Sequence, residues 1–219
     1  MLKTILFDLD GTLLDTEPDF TLILNRLLRA NQRAEVSAAR VRQTVSSGAR
    51  ALIRLGFGMD EEDPDFSSHL DQLLALYDRQ IPDTRCVLFP GIASLLQRID
   101  SENLNWGIVT NKPSRFTQPL LARIPALSQC RVVVCPDQLQ QSKPDPEGLL
   151  LACRQAASSA AEAVYVGDHP RDIEAGRNAG MKTIAAAWGY LPENTQALDW
   201  NADKVARHAD DIQDYLFHH

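Results

Sequence analysis

The sequence predicts an α/β protein, a doubly wound parallel sheet with a helical domain inserted into it. Three observations predict this class. Short apolar runs rich in β-branched residues recur along the chain, and helix-like segments alternate with them. Between the first run and the second lie about 90 residues, far more than one crossover helix needs. The pattern across that interval is helical.

Taken in order, the first run is Thr4-Ile5-Leu6-Phe7, which reads as a buried strand. From residue 17 the period changes: Phe20, Ile23, Leu24, Leu27 and Leu28 share one helical face. Further helical segments follow at 41–45, 51–55 and 66–77. Residues 17–84 are therefore expected to form a helical cap, with 1–16 and 85–219 forming the core. Pro82 to Pro90 carries the chain back, and Pro90-Gly91 opens a core helix at 92–101. Strands are then expected at 106–109, 132–135, 163–166 and 183–187, alternating with helices at 114–124, 146–157 and 171–179. A last unit runs through Val205 to a helix at 210–217.

Composition bounds the function. Of 219 residues 44% are hydrophobic and 23% charged, an ordinary globular balance that argues against disorder. Twenty-two Lys and Arg stand against 29 Asp and Glu, a net charge of −7, which disfavours nucleic acid or an anionic membrane as partner. A small anionic substrate would need locally placed cations. Cys86, Cys130, Cys135 and Cys153 show neither a C-x-x-C pair nor zinc spacing and read as reduced thiols. No apolar run approaches the roughly 18 residues of a membrane span, and Asp8 and Asp10 interrupt the N-terminal run before it could act as a leader. A cytoplasmic location is expected. His218 and His219 carry no weight in this reading.

Chemistry concentrates where predicted strands end. Phe7-Asp8-Leu9-Asp10-Gly11-Thr12 places two carboxylates past the first strand, and residues two apart in an extended chain share a face, so Asp8 and Asp10 can converge on one ligand. Such a pair alone is equally a solvated turn. The second strand ends in Thr110-Asn111-Lys112-Pro113, where the Thr110 hydroxyl and the next backbone N–H can grip phosphate oxygens. Ser142-Lys143-Pro144-Asp145-Pro146-Glu147 presents Lys143 before a helix with Asp145 as N-cap and Pro146 at its first position. Gly167-Asp168-His169-Pro170-Arg171-Asp172 ends a third strand with two acids one helical turn apart. Asp168 can bind a cation directly, and Asp172 can orient a metal-bound water or Lys143. Helix capping is the plainer role for both acids, and a surface position the plainer one for His169.

In that order, Asp-x-Asp-Gly-Thr, Thr-Asn, Lys-Pro and Gly-Asp-x-x-x-Asp resemble the haloacid dehalogenase-like phosphohydrolases, in their phosphoglycolate phosphatase-like branch. The stretches at Trp106-Gly107, Cys135-Pro136-Asp137, Ser142 to Pro146 and Trp188-Gly189-Tyr190 are similar to members of that branch that act on N-acetylmuramate 6-phosphate in peptidoglycan recycling. The resemblance implies a Rossmann-like core and a Mg²⁺-dependent phosphatase for a small acidic phosphate ester, either N-acetylmuramate 6-phosphate or 2-phosphoglycolate. It also implies roles. Asp8 would be the nucleophile that forms an aspartyl-phosphate, and Asp10 the acid that protonates the leaving alkoxide and then activates water. Mg²⁺ would be held by Asp8, the Asp10 carbonyl and Asp168. Thr110, the backbone N–H groups of Leu9 and Asn111, and Lys143 would bind the phosphate.

Two alternatives remain open at this level. Sugar-phosphate mutases of the same superfamily share the Asp-x-Asp pair. A phospho-acceptor signalling module also uses acids, a Thr or Ser and a Lys at strand ends, although it needs neither a helical cap nor Asp10. Within the cap, Ser46-Ser47-Gly48-Ala49-Arg50 is a polar turn from which Ser47, Gly48 and Arg50 can reach a substrate carboxylate or hydroxyl. A solvated Arg50 is the plainer reading. The acidic stretch 60–65 reads as a solvated loop, and cap movement is expected to hinge near residues 15–18 and 83–86.

Overall fold

The computed structural model describes residues 1–217; His218 and His219 lie outside the described residues. The elements, in chain order, are β1 (Thr4–Phe7), β2 (Leu14–Asp15), α1 (Glu17–Ala30), α2 (Ala38–Thr44), α3 (Gly48–Phe57), α4 (Phe66–Gln80) and β3 (Val87–Leu88). They continue with α5 (Ile92–Ser101), β4 (Asn105–Val109), α6 (Ser114–Leu121), β5 (Val132–Val134), α7 (Glu147–Gln155), β6 (Ala163–Gly167), α8 (Pro170–Asn178), β7 (Lys182–Ala186), β8 (Lys204–Ala206) and α9 (Ala209–Phe217).

Six strands form one parallel sheet in the order β5-β4-β1-β6-β7-β8. β1 sits inside it, fully buried on both faces, which explains why its sequence is a run rather than an alternation. The strand order turns back on either side of β1, and the ends of β1, β4 and β6 open onto that switch point. Between β1 and α5 the four helices α1–α4 pack on one another, and their apolar faces join those of β1 and β4 in one continuous core. α1 buries Ile23, Leu24, Leu27 and Leu28, the face its periodicity marked.

The structure adds one element that periodicity missed. β2 and β3 pair antiparallel, Leu14 with Leu88 and Asp15 with Val87, where the chain leaves the sheet and where it returns. Two-residue strands have no period to read. Two expected boundaries also shift. The helix expected to run to residue 124 ends at Leu121, because the Arg123 and Ile124 N–H groups bond three residues back in a tightened turn. The helix after Lys143 starts at Glu147, with Pro146 as its cap residue; Asp145 still caps from outside, accepting the Glu147 N–H at 2.9 Å. The four cysteines are free thiols. No described helix is long and apolar enough to cross a membrane.

Candidate active site

β1, β4 and β6 end beside one another, so parallel pairing brings Asp8, Thr110 and Asp168 together although they lie far apart in sequence. Lys143 arrives from the loop before α7, and its Nζ lies 2.9 Å from Asp8 Oδ1, 2.8 Å from Asp172 Oδ1 and 2.7 Å from the Tyr165 hydroxyl. The Val109 carbonyl lies 2.9 Å from the same nitrogen, so four oxygens crowd around an ammonium that has three protons. Tyr165 passes its own proton to the Val109 carbonyl at 2.9 Å. Asn111 fixes the Lys143 backbone from both sides: its amide donates to the Lys143 carbonyl at 3.0 Å and accepts the Lys143 N–H at 3.2 Å.

Asp8 Oδ1 also accepts the Leu9 N–H at 2.8 Å, so both bonds fall on one oxygen and leave Oδ2 for chemistry. That bond modifies the expectation for Leu9, whose N–H points at the Asp8 carboxylate rather than being held open for a phosphate. The Thr110 hydroxyl accepts the Lys112 N–H at 3.1 Å, which leaves its proton to donate. Asp168 is fully buried, accepting the Thr12 hydroxyl at 2.9 Å and the Tyr190 N–H at 2.8 Å. Two glycines make room for it. Gly11 has φ +87°, and a Cβ there would lie 2.1 Å from Asp168 Oδ2; a Cβ on Gly189 would lie 2.2 Å from Asp168 Cβ.

Asp8, Asp168 and Asp172 bring carboxylate oxygens within 4.8 Å of one another. Burial pushes Asp8 up to about 6, with Lys143 pulling against it and Asp172 adding to it. Burial, Asp8 and Asp172 together hold Asp168 well above the ordinary carboxylate range. Burial works against the Lys143 ammonium, but Asp172 and Asp8 hold its pKa above the usual lysine value. Three acids thus share one close cation. An excess of hard anionic oxygens is the donor set of a divalent ion such as Mg²⁺, and Asp8 and Asp168 fit its direct ligands. Asp172 differs in touching Lys143 itself, with one oxygen on the ammonium and the other on the His169 N–H at 3.1 Å, whereas Asp168 accepts from the neutral Thr12 and Tyr190 donors.

His169 departs from expectation. It is half-buried rather than on the surface, caps α8 by accepting the Arg171 N–H at 3.2 Å, and is held near 4 by burial and by Arg171. A neutral imidazole there is a cap, with no acid or base role required.

Above Asp8 and Asp10 lies a cavity of about 650 Å³. Its cations are Arg50, Lys112, Arg115, Lys143 and Arg171, and one wall is apolar, made by Phe20, Val45, Leu70, Leu74, Tyr77 and Phe116. Ser47, Gly48 and Arg50 line it, as do Thr110 and Asn111. Arg50 is exposed, in keeping with the plainer reading of a solvated side chain, and its Nη1 lies 2.8 Å from Glu61 Oε2. The 60–65 stretch is exposed throughout, as expected of a solvated loop, and its Glu61 meets the exposed Arg50 and Arg54 of α3.

Sequence reasoning assigned no role to four residues that build this site. Lys112 meets Asp10, Arg171 donates to the Ser46 carbonyl, Tyr165 supports Lys143, and Tyr190 joins Asp168 to the β2 exit through its hydroxyl. Lys112 and Arg171 lie inside the motifs already singled out, so position at a strand end was the signal available for them.

The chain belongs to the haloacid dehalogenase-like hydrolase family, whose model matches residues 5–186. Among relatives, it is 41% identical to an N-acetylmuramic acid 6-phosphate phosphatase of Pseudomonas aeruginosa, over 98% of this chain and 95% of that protein. It is 37% identical to a phosphoglycolate phosphatase of Xanthomonas campestris pv. campestris, over 92% and 90%. In fold it matches the crystal structure of a predicted phosphoglycolate phosphatase from Haemophilus somnus, with TM-score 0.86 and 23% identity over 98% of this chain and 97% of that one.

Proposed function

We propose that the protein is a Mg²⁺-dependent phosphomonoesterase whose substrate is N-acetylmuramate 6-phosphate. The observation that carries the substrate is the cavity. At about 650 Å³ it falls in the range that holds drug-sized ligands, roughly 300–1,000 Å³. Phosphoglycolate has roughly 9 heavy atoms and would leave most of that space to water, whereas N-acetylmuramate 6-phosphate has about 24 and brings acetyl and lactyl groups to the apolar wall. Its carboxylate has cations to meet at Arg115 and Arg171, neither of which is paired with an acid among the described residues. The relatives named for each substrate support the same pair of candidates.

In this reading Asp8 Oδ2 attacks phosphorus, the ester P–O bond breaks, and the phosphoryl group passes to Asp8. Asp10 gives its proton to the departing alkoxide. Water then attacks the aspartyl-phosphate, Asp10 takes a proton from it, and Asp8 is released with inorganic phosphate. Lys143 and the Thr110 hydroxyl neutralise and orient the phosphate oxygens, and Lys143 is held for that work by Asp172 and Tyr165. When bound by Asp8 and Asp168, Mg²⁺ supplies further charge neutralisation at the phosphate. The helical segment 17–84 acts as the cap that encloses the alcohol part of the substrate.

The test is phosphate release with Mg²⁺ and with chelator, comparing kcat/KM for the two substrates. A preference of at least ~100-fold for the amino sugar is expected. A preference for phosphoglycolate would refute the cavity argument. Asp8→Asn should lower turnover by at least ~1,000-fold with the fold intact; near-normal activity would remove Asp8 from the nucleophile role. A mutase would return phosphate to sugar rather than release it.

A further inference from the structure

Lys112 is buried, its side chain only 6% exposed, and it stands outside the Asp8–Lys143–Asp172 cluster. Its Nζ lies 2.9 Å from Asp10 Oδ1. Its backbone is fixed at both ends, the N–H by the Thr110 hydroxyl and the carbonyl by the Thr117 hydroxyl, each at 3.1 Å. Two aromatic rings from the helical segment cover the ammonium: Phe20 of α1 at 5.1 Å and Tyr77 of α4 at 4.6 Å. Those rings stack on each other at 4.6 Å, and Tyr77 leans on Phe116 of α6.

A lysine side chain has much rotamer entropy to lose, and a short pinned backbone under an aromatic roof removes most of its alternatives before Asp10 is met. Burial works to lower the Lys112 pKa, while Asp10 and Tyr77 hold it above the ordinary value, so the ammonium stays charged. The core thus supplies the cation and the carboxylate, and the helical segment supplies the roof that keeps them together.

We propose that Lys112 is a positioning residue for Asp10, fixing its carboxylate at the cavity wall, and that Phe20 and Tyr77 make this positioning depend on the helical segment covering the core. The inference rests on Asp10 being the proton donor of the proposed reaction. It has a consequence a purely structural ion pair lacks. A misplaced acid slows loss of an alkoxide, which needs a proton, and spares loss of p-nitrophenolate, which leaves without one.

The test measures single-turnover phosphoryl transfer with Mg²⁺ for p-nitrophenyl phosphate and for whichever of N-acetylmuramate 6-phosphate and 2-phosphoglycolate the wild type turns over faster; both have alkyl leaving oxygens. Lys112→Met should slow transfer from the alkyl phosphate by ~100-fold or more and change the aryl burst by less than about threefold, with little change in KM. Lys112→Arg should recover the alkyl rate to within about tenfold of wild type. Tyr77→Leu should show the same asymmetry at smaller size, and it carries the test if Lys112→Met does not fold. Equal losses on both substrates, or no loss on the alkyl phosphate, would overturn the proposal. Asp10→Asn separates the two levels. If it lacks the asymmetry, Asp10 is not the donor and the premise falls; if it shows the asymmetry and the Lys112 and Tyr77 variants do not, only the positioning role falls.

Discussion

Mg²⁺ should stabilise this protein against heat, and by more at pH 7.5 than at pH 5. Burial raises Asp8 from the ordinary 3.8 to about 6 and moves Asp168 the same way, so the folded state holds these protons more tightly than the unfolded chain. In the ion-free protein their contribution to stability is therefore most favourable below pH 4 and is lost as pH rises towards 6. For Asp8 alone a difference of about 2 pH units corresponds to ~3 kcal/mol. An ion bound by the carboxylates competes with those protons, so its affinity rises through the same window. At a hundred times its Kd it adds about 2.7 kcal/mol. At roughly 2–4 °C per kcal/mol for a chain of this size, Tm rises by ~5–11 °C. At pH 5, one unit below the Asp8 value, displacing one proton weakens binding about tenfold and removes ~1.4 kcal/mol, about half the shift. Differential scanning calorimetry in excess Mg²⁺ and in chelator, at both pH values, reads this directly, with Asp168→Asn as control. An equal shift at both pH values, no shift at pH 7.5, or a shift that survives Asp168→Asn would refute the reasoning.

Three further outcomes follow from the same geometry. Lys143→Met leaves Asp8 and Asp172 facing each other without their shared cation and should cost ~3–5 kcal/mol in urea unfolding at neutral pH; a loss below 1 kcal/mol would show that water or ions replace it. Gly11→Ala forces a Cβ onto Asp168 at a left-handed backbone position, so it should lose more than about 1 kcal/mol and abolish the Mg²⁺-dependent rise in Tm. Tyr190→Phe removes the hydroxyl that accepts the Thr16 N–H at 2.5 Å and the Glu17 N–H at 2.9 Å and donates to Asp15 at 2.7 Å. It should cost ~1–3 kcal/mol and speed amide exchange at Thr16 and Glu17, with exchange in β6 unchanged.

The parallel sheet was legible because central strands such as β1 and β6 are buried on both faces and carry unbroken apolar runs. The positions of Asp8, Thr110, Lys143 and Asp168 were legible because ligands of such sheets meet strand ends. What could not be read depends on long-range placement. Lys112 looks like any solvated lysine until Phe20, Tyr77 and Asp10 are brought around it. Tyr190 stood out only within a stretch similar to relatives, and the fold shows its N–H on Asp168 and its hydroxyl at the start of α1. Arg50 carried the right chemistry for a substrate anion, and only the fold shows that it lines the cavity while its exposed end also meets Glu61.

The pairing of β2 with β3 has a mechanical consequence. The chain's outward and return crossings are hydrogen-bonded into one short antiparallel strip instead of hanging as two separate strings. The helices between them therefore leave and rejoin the sheet through one shared attachment. The strip also begins close to the Asp8 and Asp10 carboxylates, since Asp10 bridges to Leu14.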